Sequence, residues 1–173
     1  MWWLKDLWFN ILTRSFMAKY ESSVKHIGYP VSKVYAKLSD LNNLAAIKNK
    51  LDDPRMTELM KDKLSEEKMA EVREKLGSMS FDRNSVSIDV PPVGNVAIKI
   101  IEREEDKCIK FESTNSPIGF KLWIQLLPTS DTSCKMKLTI DAAVNMFIKA
   151  MVDKPLKEGV EKLADMLVMI PYE

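Results

Sequence analysis

The chain has 173 residues, a length suited to one domain with a single core, and its 46% apolar and 29% charged residues are the balance of an ordinary globular protein. With 26 basic against 25 acidic side chains the net charge is +1, so no overall field draws nucleic acid or an anionic surface. One histidine, His26, excludes a multi-histidine metal site, and five glycines in no phosphate-loop spacing exclude that class of nucleotide binding.

Residues 1–16 differ from the rest. Trp2, Trp3 and Trp8 crowd there with Leu4, Leu7, Phe9, Ile11, Leu12 and Phe16. The run is shorter than the ~20 apolar residues of a spanning helix, Lys5 and Asp6 interrupt it, and it lacks the basic start and cleavage site of a secretory signal. Three readings stay open: an interfacial membrane anchor, a segment packed on the domain or a partner, or a stretch upstream of a true start at Met17. The domain pattern proper is assigned to residues 17–173.

Lys19 to Ile27 alternates as a strand, with Tyr20, Ser22, Val24 and His26 on one side. Gly28, Tyr29 and Pro30 stop it. Val31, Val34, Tyr35 and Leu38 mark a short helix closed by Ser39 and Asp40, and Leu41, Leu44 and Ile47 continue into a second. Residues 48–80 form a charged helical insertion. Asp53 and Pro54 open one helix, carrying Met56, Leu59 and Met60; Ser65 caps the next, with Glu66 and Glu67 near its positive end, Leu64 and Met69 as a hydrophobic staple, and Gly77 as its stop. This hairpin is either a solvated cover on one edge or a movable lid over an apolar pocket, a use for which adaptable methionines are suited.

The period then changes to two. Strands follow at Val86–Val90, Val96–Ile100, Ile109–Phe111, Phe120–Leu126 and Met136–Ile140, separated by Pro91, Pro92 and Gly94, by the acidic turn Glu102 to Asp106, by Asn115-Ser116-Pro117 and by Pro128 to Thr132. Five strands with short turns predict an antiparallel meander, apolar on one face. Cys108 and Cys134 fall on separate strands in no metal-binding spacing and read as reduced thiols of a cytoplasmic protein. After Pro155, the stripe Leu156, Val160, Leu163, Ala164 and Leu167, widened by Met166 and Ile170, predicts a helix with one buried face roughly 160° wide. Asp153 suits its cap, Pro155 its first turn and Pro171 its end. Gly159, within the apolar arc, either lets the sheet approach or leaves space for something else.

The order of these elements resembles the helix-grip fold of the START-like superfamily, also called SRPBCC or polyketide-cyclase-like. The likeness spans about Ala18 to Ile170 and is carried by Tyr20 to Ile27, Pro30-Val31 with Val34-Tyr35, Ser39-Asp40, and the closing segment Met151 to Leu167 with Lys154-Pro155-Leu156. The charged insertion departs from the short aromatic link of many members. The resemblance implies an α+β fold in which a curved antiparallel sheet wraps a long C-terminal helix, with an apolar cavity between them. Members bind sterols, lipids, polyketides or hormones, some catalyse cyclisation or hydration, and others act by protein contact.

The first expectation is therefore non-catalytic binding of a hydrophobic small molecule or lipid, with no cofactor or metal. The candidate lining is Ile98, Phe111, Leu122, Ile124 and Met136 on the strands and Gly159, Leu163 and Met166 on the helix. The plain alternative is that these side chains fill a core. A cyclase or hydratase would need an acid or base in the cavity, for which His26, Tyr35 and Asp40 are the candidates. A third reading is a protein-interaction adaptor using residues 1–16 or the charged hairpin.

Overall fold

A computed structural model describes residues 2–50, 53–62, 65–90 and 94–173. The chain runs α1 (Trp2–Thr13), β1 (Phe16–Glu21), β2 (Lys25–Ile27), α2 (Val31–Leu38), α3 (Asn42–Lys50), α4 (Pro54–Lys61), α5 (Glu66–Gly77), β3 (Met79–Phe81), β4 (Ser85–Val90), β5 (Gly94–Glu104), β6 (Cys108–Asn115), β7 (Phe120–Ser130), β8 (Ser133–Val144) and α6 (Met146–Val168). All eight strands form one curved antiparallel sheet in the order β1-β8-β7-β6-β5-β4-β3, with β2 also paired to β8. The long helix α6 lies on its inner face, chiefly against β8, β1 and β2.

The meander follows the period-two pattern because its inward positions are apolar in register. One row crosses five strands through Tyr20, Ile140, Leu122, Phe111 and Ile100, each the cross-strand partner of the next. The next row contains Leu138, Ile124 and Ile109. The acidic turn closes tightly at Asp106, whose φ of 57° is a left-handed conformation that aspartate tolerates. Val34 and Leu38 of α2 and the following Leu41 complete the core, which the chain end seals with buried Tyr172. The Tyr172 hydroxyl donates to the Leu167 carbonyl at 2.7 Å, and the ring meets Tyr29 edge-on.

The structure departs from the sequence reading in three places. The first strand is broken: Ser22 to Val24 separate β1 from β2 opposite Leu138. The buried Ser22 hydroxyl accepts a bond from the Leu138 N–H at 2.9 Å, so the interruption leaves no orphan donor. An irregularity of this kind reverses the parity of the residues beyond it, and Ile27 is buried while Val24 and His26 are exposed. Secondly, α6 starts nine residues before Pro155, at Met146, where the Asn145 side chain accepts from the Ile148 N–H at 2.9 Å. Pro155 lies inside the helix, and its missing N–H deprives only the carbonyl of Met151, a highly exposed residue, so the interruption faces water. Asp153 caps nothing there. Thirdly, β3 adds a strand at the end of the charged insertion. Residues 2–13, left open by the sequence reading, are helical. The staple residue Leu64 and the Pro91-Pro92 break lie outside the described residues, as do the side chains of Met56, Leu59 and Met60.

Candidate functional site

Each residue advances about 100° around a helix, so α6 presents distinct sides. Its central face, Val160, Ala164 and Leu167, is buried on the sheet. The sheet beneath carries the cross-strand pair Ala18 and Ala142, also buried, so small residues on both partners permit close approach.

Polar groups of the helix meet the β1–β2 edge at two levels, Asp153 in line with Val160 and two turns before it, and Glu161 and Asp165 on one flank. Asp153 accepts from the Tyr20 hydroxyl at 2.7 Å and pairs with Lys149 at 2.8 Å. Two turns on, Glu161 accepts from the backbone N–H of Ser23 at 2.8 Å and from its hydroxyl at 2.6 Å, and Lys25 bridges Glu161 and Asp165. These contacts set the ionisation of the groups. Lys25, aided by Ser23, pulls the Glu161 carboxyl down to about 2. Lys149 and then Tyr20 hold Asp153 below the usual aspartate range. Burial, followed by the bond to Asp153, pushes the Tyr20 phenol up to about 12.

The opposite flank is apolar and unlatched. Val152, Leu163 and Met166 are half-buried there, with Ile170 half-buried just past the helix end, and Gly159 is exposed, with nothing within 4 Å of where a side chain would begin. This flank lies away from the β1–β2 edge, and its Val152 and Leu163 pack against the margin of the core. The sheet answers with Phe81, Val86 and Ile98, in register on β3, β4 and β5, together with Ile118 and Phe120, all half-buried and packed against the core rather than within it.

The eight candidate residues divide between these environments. Phe111, Leu122, Ile124 and Met136 are core residues, Met136 at 1% exposure. Ile98 and Leu163 are half-buried at the core margin, Met166 is half-buried, and Gly159 is exposed. Phe81, Val86, Ile118 and Phe120 share the marginal surface and were not among the candidates. Val86 and Phe120 were legible as alternating strand positions, whereas Phe81 was hidden in a charged stretch.

The α4–α5 hairpin flanks this region. Arg73 on α5 donates to the Thr57 hydroxyl of α4 at 2.8 Å, and Lys48 on α3 reaches the carbonyls of Gly77 and Met79, tying the end of α5 to β3. Ser65 caps α5 through the Lys68 N–H. Glu71 of α5 is held below its ordinary range mainly by Lys75, and Lys162 of α6 contributes. The hairpin is thus anchored at the β3 edge and feels the charges of α6. Its Met69 is buried.

Among the acid–base candidates, His26 is exposed and pairs across the sheet with Lys135. Asp40 binds the Asn42 N–H and lies 3.7 Å from Arg83. Tyr35 is half-buried, its phenol pushed up by burial. No hydrogen bond or ion pair joins any two of them among the described residues. No group of three or more metal-ligating side chains occurs among those residues either, and Cys108 and Cys134 are free.

Two depressions lie elsewhere, and none of the eight candidates lines them. A groove of about 590 Å³ follows the polar seam, lined by Lys19, Tyr20, Glu21, Lys157, Glu158, Glu161 and Lys162. Another, of about 380 Å³, lies on the outer sheet face around Trp123, over whose ring the Lys110 ammonium sits 5.3 Å from the centroid.

Neither a protein-family model nor a curated protein matches the sequence. Solved structures do match in fold. Norcoclaurine synthase from Thalictrum flavum, in complex with dopamine and hydroxybenzaldehyde, superposes with a TM-score of 0.58 over 92% of this chain and 87% of its own, at 13% identity. A structural-genomics protein from Rhizobium loti gives 0.55 over 90% and 97%, at 12% identity. Among the described residues no helix is long and apolar enough to cross a membrane. From the order of strands, the sheet curvature and the placement of α6, the chain has the helix-grip fold.

Proposed function

We propose that the chain binds a small hydrophobic molecule or lipid, without catalysis, between the apolar flank of α6 and the β3–β5 end of the inner sheet face, beneath the α4–α5 hairpin. The observation that carries this reading is the pair of half-buried apolar surfaces, Val152, Leu163 and Met166 on the helix and Phe81, Val86, Ile98 and Phe120 on the sheet. Gly159 adds no side chain to that flank. Phe111 and Leu122, in the row that runs on to Ile100, form the floor on which such a ligand rests, while Ile124 and Met136 belong to the core nearer the latched edge. Binding is driven by desolvation, about 25 cal/mol per Å² of apolar surface before ordering costs. The Thalictrum flavum enzyme, with two small aromatic molecules on the same fold, supports a small-molecule ligand as the class.

That relative's being a synthase keeps a cyclase- or hydratase-type reaction as the second reading. An exposed His26 facing away from the helix weighs against it, because a general base must reach the proton it abstracts. Native mass spectrometry followed by organic extraction tests the proposal. A stoichiometric apolar adduct, lost in Ile98→Asp, is the expected result. A clean unliganded mass with no thermal shift across a panel of lipids and sterols overturns it.

A further inference from the structure

Exposed apolar side chains are concentrated at one end of the molecule. On α1, Leu4, Leu7, Trp8 and Ile11 follow offsets of three, four and seven, which places them on one stripe, and each is 41–64% exposed. The chain leaves α1 into β1, where Phe16 and Met17 pair with Val144 and Ala143 at the end of β8. Two residues beyond Val144, α6 begins, and α1 packs against α6. Phe147 and Met151, four residues apart on α6, are 57% and 77% exposed. Because α1 packs against α6, its exposed stripe and the exposed start of α6 lie at the same end of the molecule as the start of β1, with more exposed apolar side chains than scattered surface residues explain.

Charge is arranged around the stripe. At about 100° per residue, Lys5 lies on one side of it, Arg14 on the other, and Asp6 at its back. Arg14 continues the helical bonding through its N–H to the Asn10 carbonyl at 3.1 Å. Cations flanking an apolar stripe suit a bilayer surface, where the side chains reach up to anionic headgroups while the stripe enters the acyl boundary. A tryptophan within the stripe suits the same depth. A twelve-residue helix lies in the interface rather than crossing it.

We propose that this end of the molecule docks on anionic lipid bilayers, with α1 lying in the interface and Phe147 and Met151 inserting beside it. The proposal rests on the exposed end alone and is independent of the ligand reading.

Co-sedimentation of the full chain with phosphatidylcholine/phosphatidylserine vesicles, and with phosphatidylcholine alone, tests it. The expected result is strong pelleting with the mixed vesicles, weaker pelleting with the neutral ones, and partial loss in high salt. Leu7→Glu with Trp8→Glu should weaken partitioning by about tenfold or more, since two inserted side chains become charged. Should that chain lose its circular dichroism, Lys5→Glu with Arg14→Glu provides the second test and should abolish the preference for anionic lipid. No pelleting with either vesicle, or equal pelleting of wild type and both variants, overturns the proposal. So does a concentration-dependent dimer in sedimentation velocity that Leu7→Glu/Trp8→Glu dissolves while vesicles remain unbound; that result assigns the end to a second copy of the chain.

Discussion

At the β1–β8 end of the sheet, α6 packs over a buried inner face that includes Ala18, Tyr20, Leu138 and Ala142, and is latched by the Tyr20–Asp153–Lys149 and Ser23–Lys25–Glu161–Asp165 contacts. At the β3–β5 end, the inner-face residues Phe81, Val86 and Ile98 remain half-buried. The same helix is gripped along one flank and left free along the other. The contrast lies in burial: Tyr20, Met136 and Leu138 are sealed beneath the latched end, whereas the apolar side chains of β3–β5 keep part of their surface uncovered.

This contrast should appear in mutational energetics. Leu138→Ala, at a wholly buried position beneath the latched end, should cost about 2–5 kcal/mol in urea unfolding. Ile98→Ala at the other end removes nearly the same volume from a half-buried site and should cost about 1 kcal/mol or less. Its larger consequence should be loss of ligand-induced thermal stabilisation. Equal costs at the two positions would dissolve the distinction between them. Between these lies Ser22→Ala, which leaves the buried Leu138 N–H without its acceptor and should cost about 1–3 kcal/mol. Tyr20→Phe keeps the ring and loses only the bond to Asp153, for which about 1 kcal/mol is expected.

The sheet was legible because alternation is a local signal: Val86 to Val90 or Phe120 to Leu126 states which face is inward without reference to any neighbour. The break in the first strand was not. Ser22 is favourable there only because Leu138, more than a hundred residues later, presents an N–H for its hydroxyl. That one event turned His26 outward, so an acid–base candidate was lost to a contact invisible in its own neighbourhood. Pro155 misled for a related reason. Its usual place is the first turn, but on an exposed side of a long helix the unbonded carbonyl is solvated and Asn145 supplies the start. In the site, the periodic stripe identified Leu163 and Met166 but gave no sign of which apolar residues are sealed and which stay half-open. That partition depends on where α6 is latched, and the latch is made of charged residues that the stripe analysis treats as solvated. Asp153 reads from the sequence as a helix cap, and Glu161 and Asp165 only as side chains opposite the apolar stripe.

The smallest effect expected of the comparison concerns pH. Glu161 is depressed to about 2 in the fold, from an ordinary value of 4.5, by Lys25 and Ser23. A carboxyl whose pKa is lower folded than unfolded contributes stability above its unfolded value and loses it as pH falls through the folded one. The latch should therefore hold fully above pH 4.5 and weaken between there and about 2. The Glu161 side chain is more than a third exposed, so solvent screens the pair and the change should be modest. Urea midpoints measured across that window should fall more steeply for the wild type than for Glu161→Gln, which keeps a hydrogen-bonding oxygen for Ser23 but has no charge to lose. Ile98→Ala should leave the slope unchanged, because the β3–β5 end owes nothing to the latch. A flattened slope in Ile98→Ala would mean that the two ends of the sheet are energetically coupled through α6.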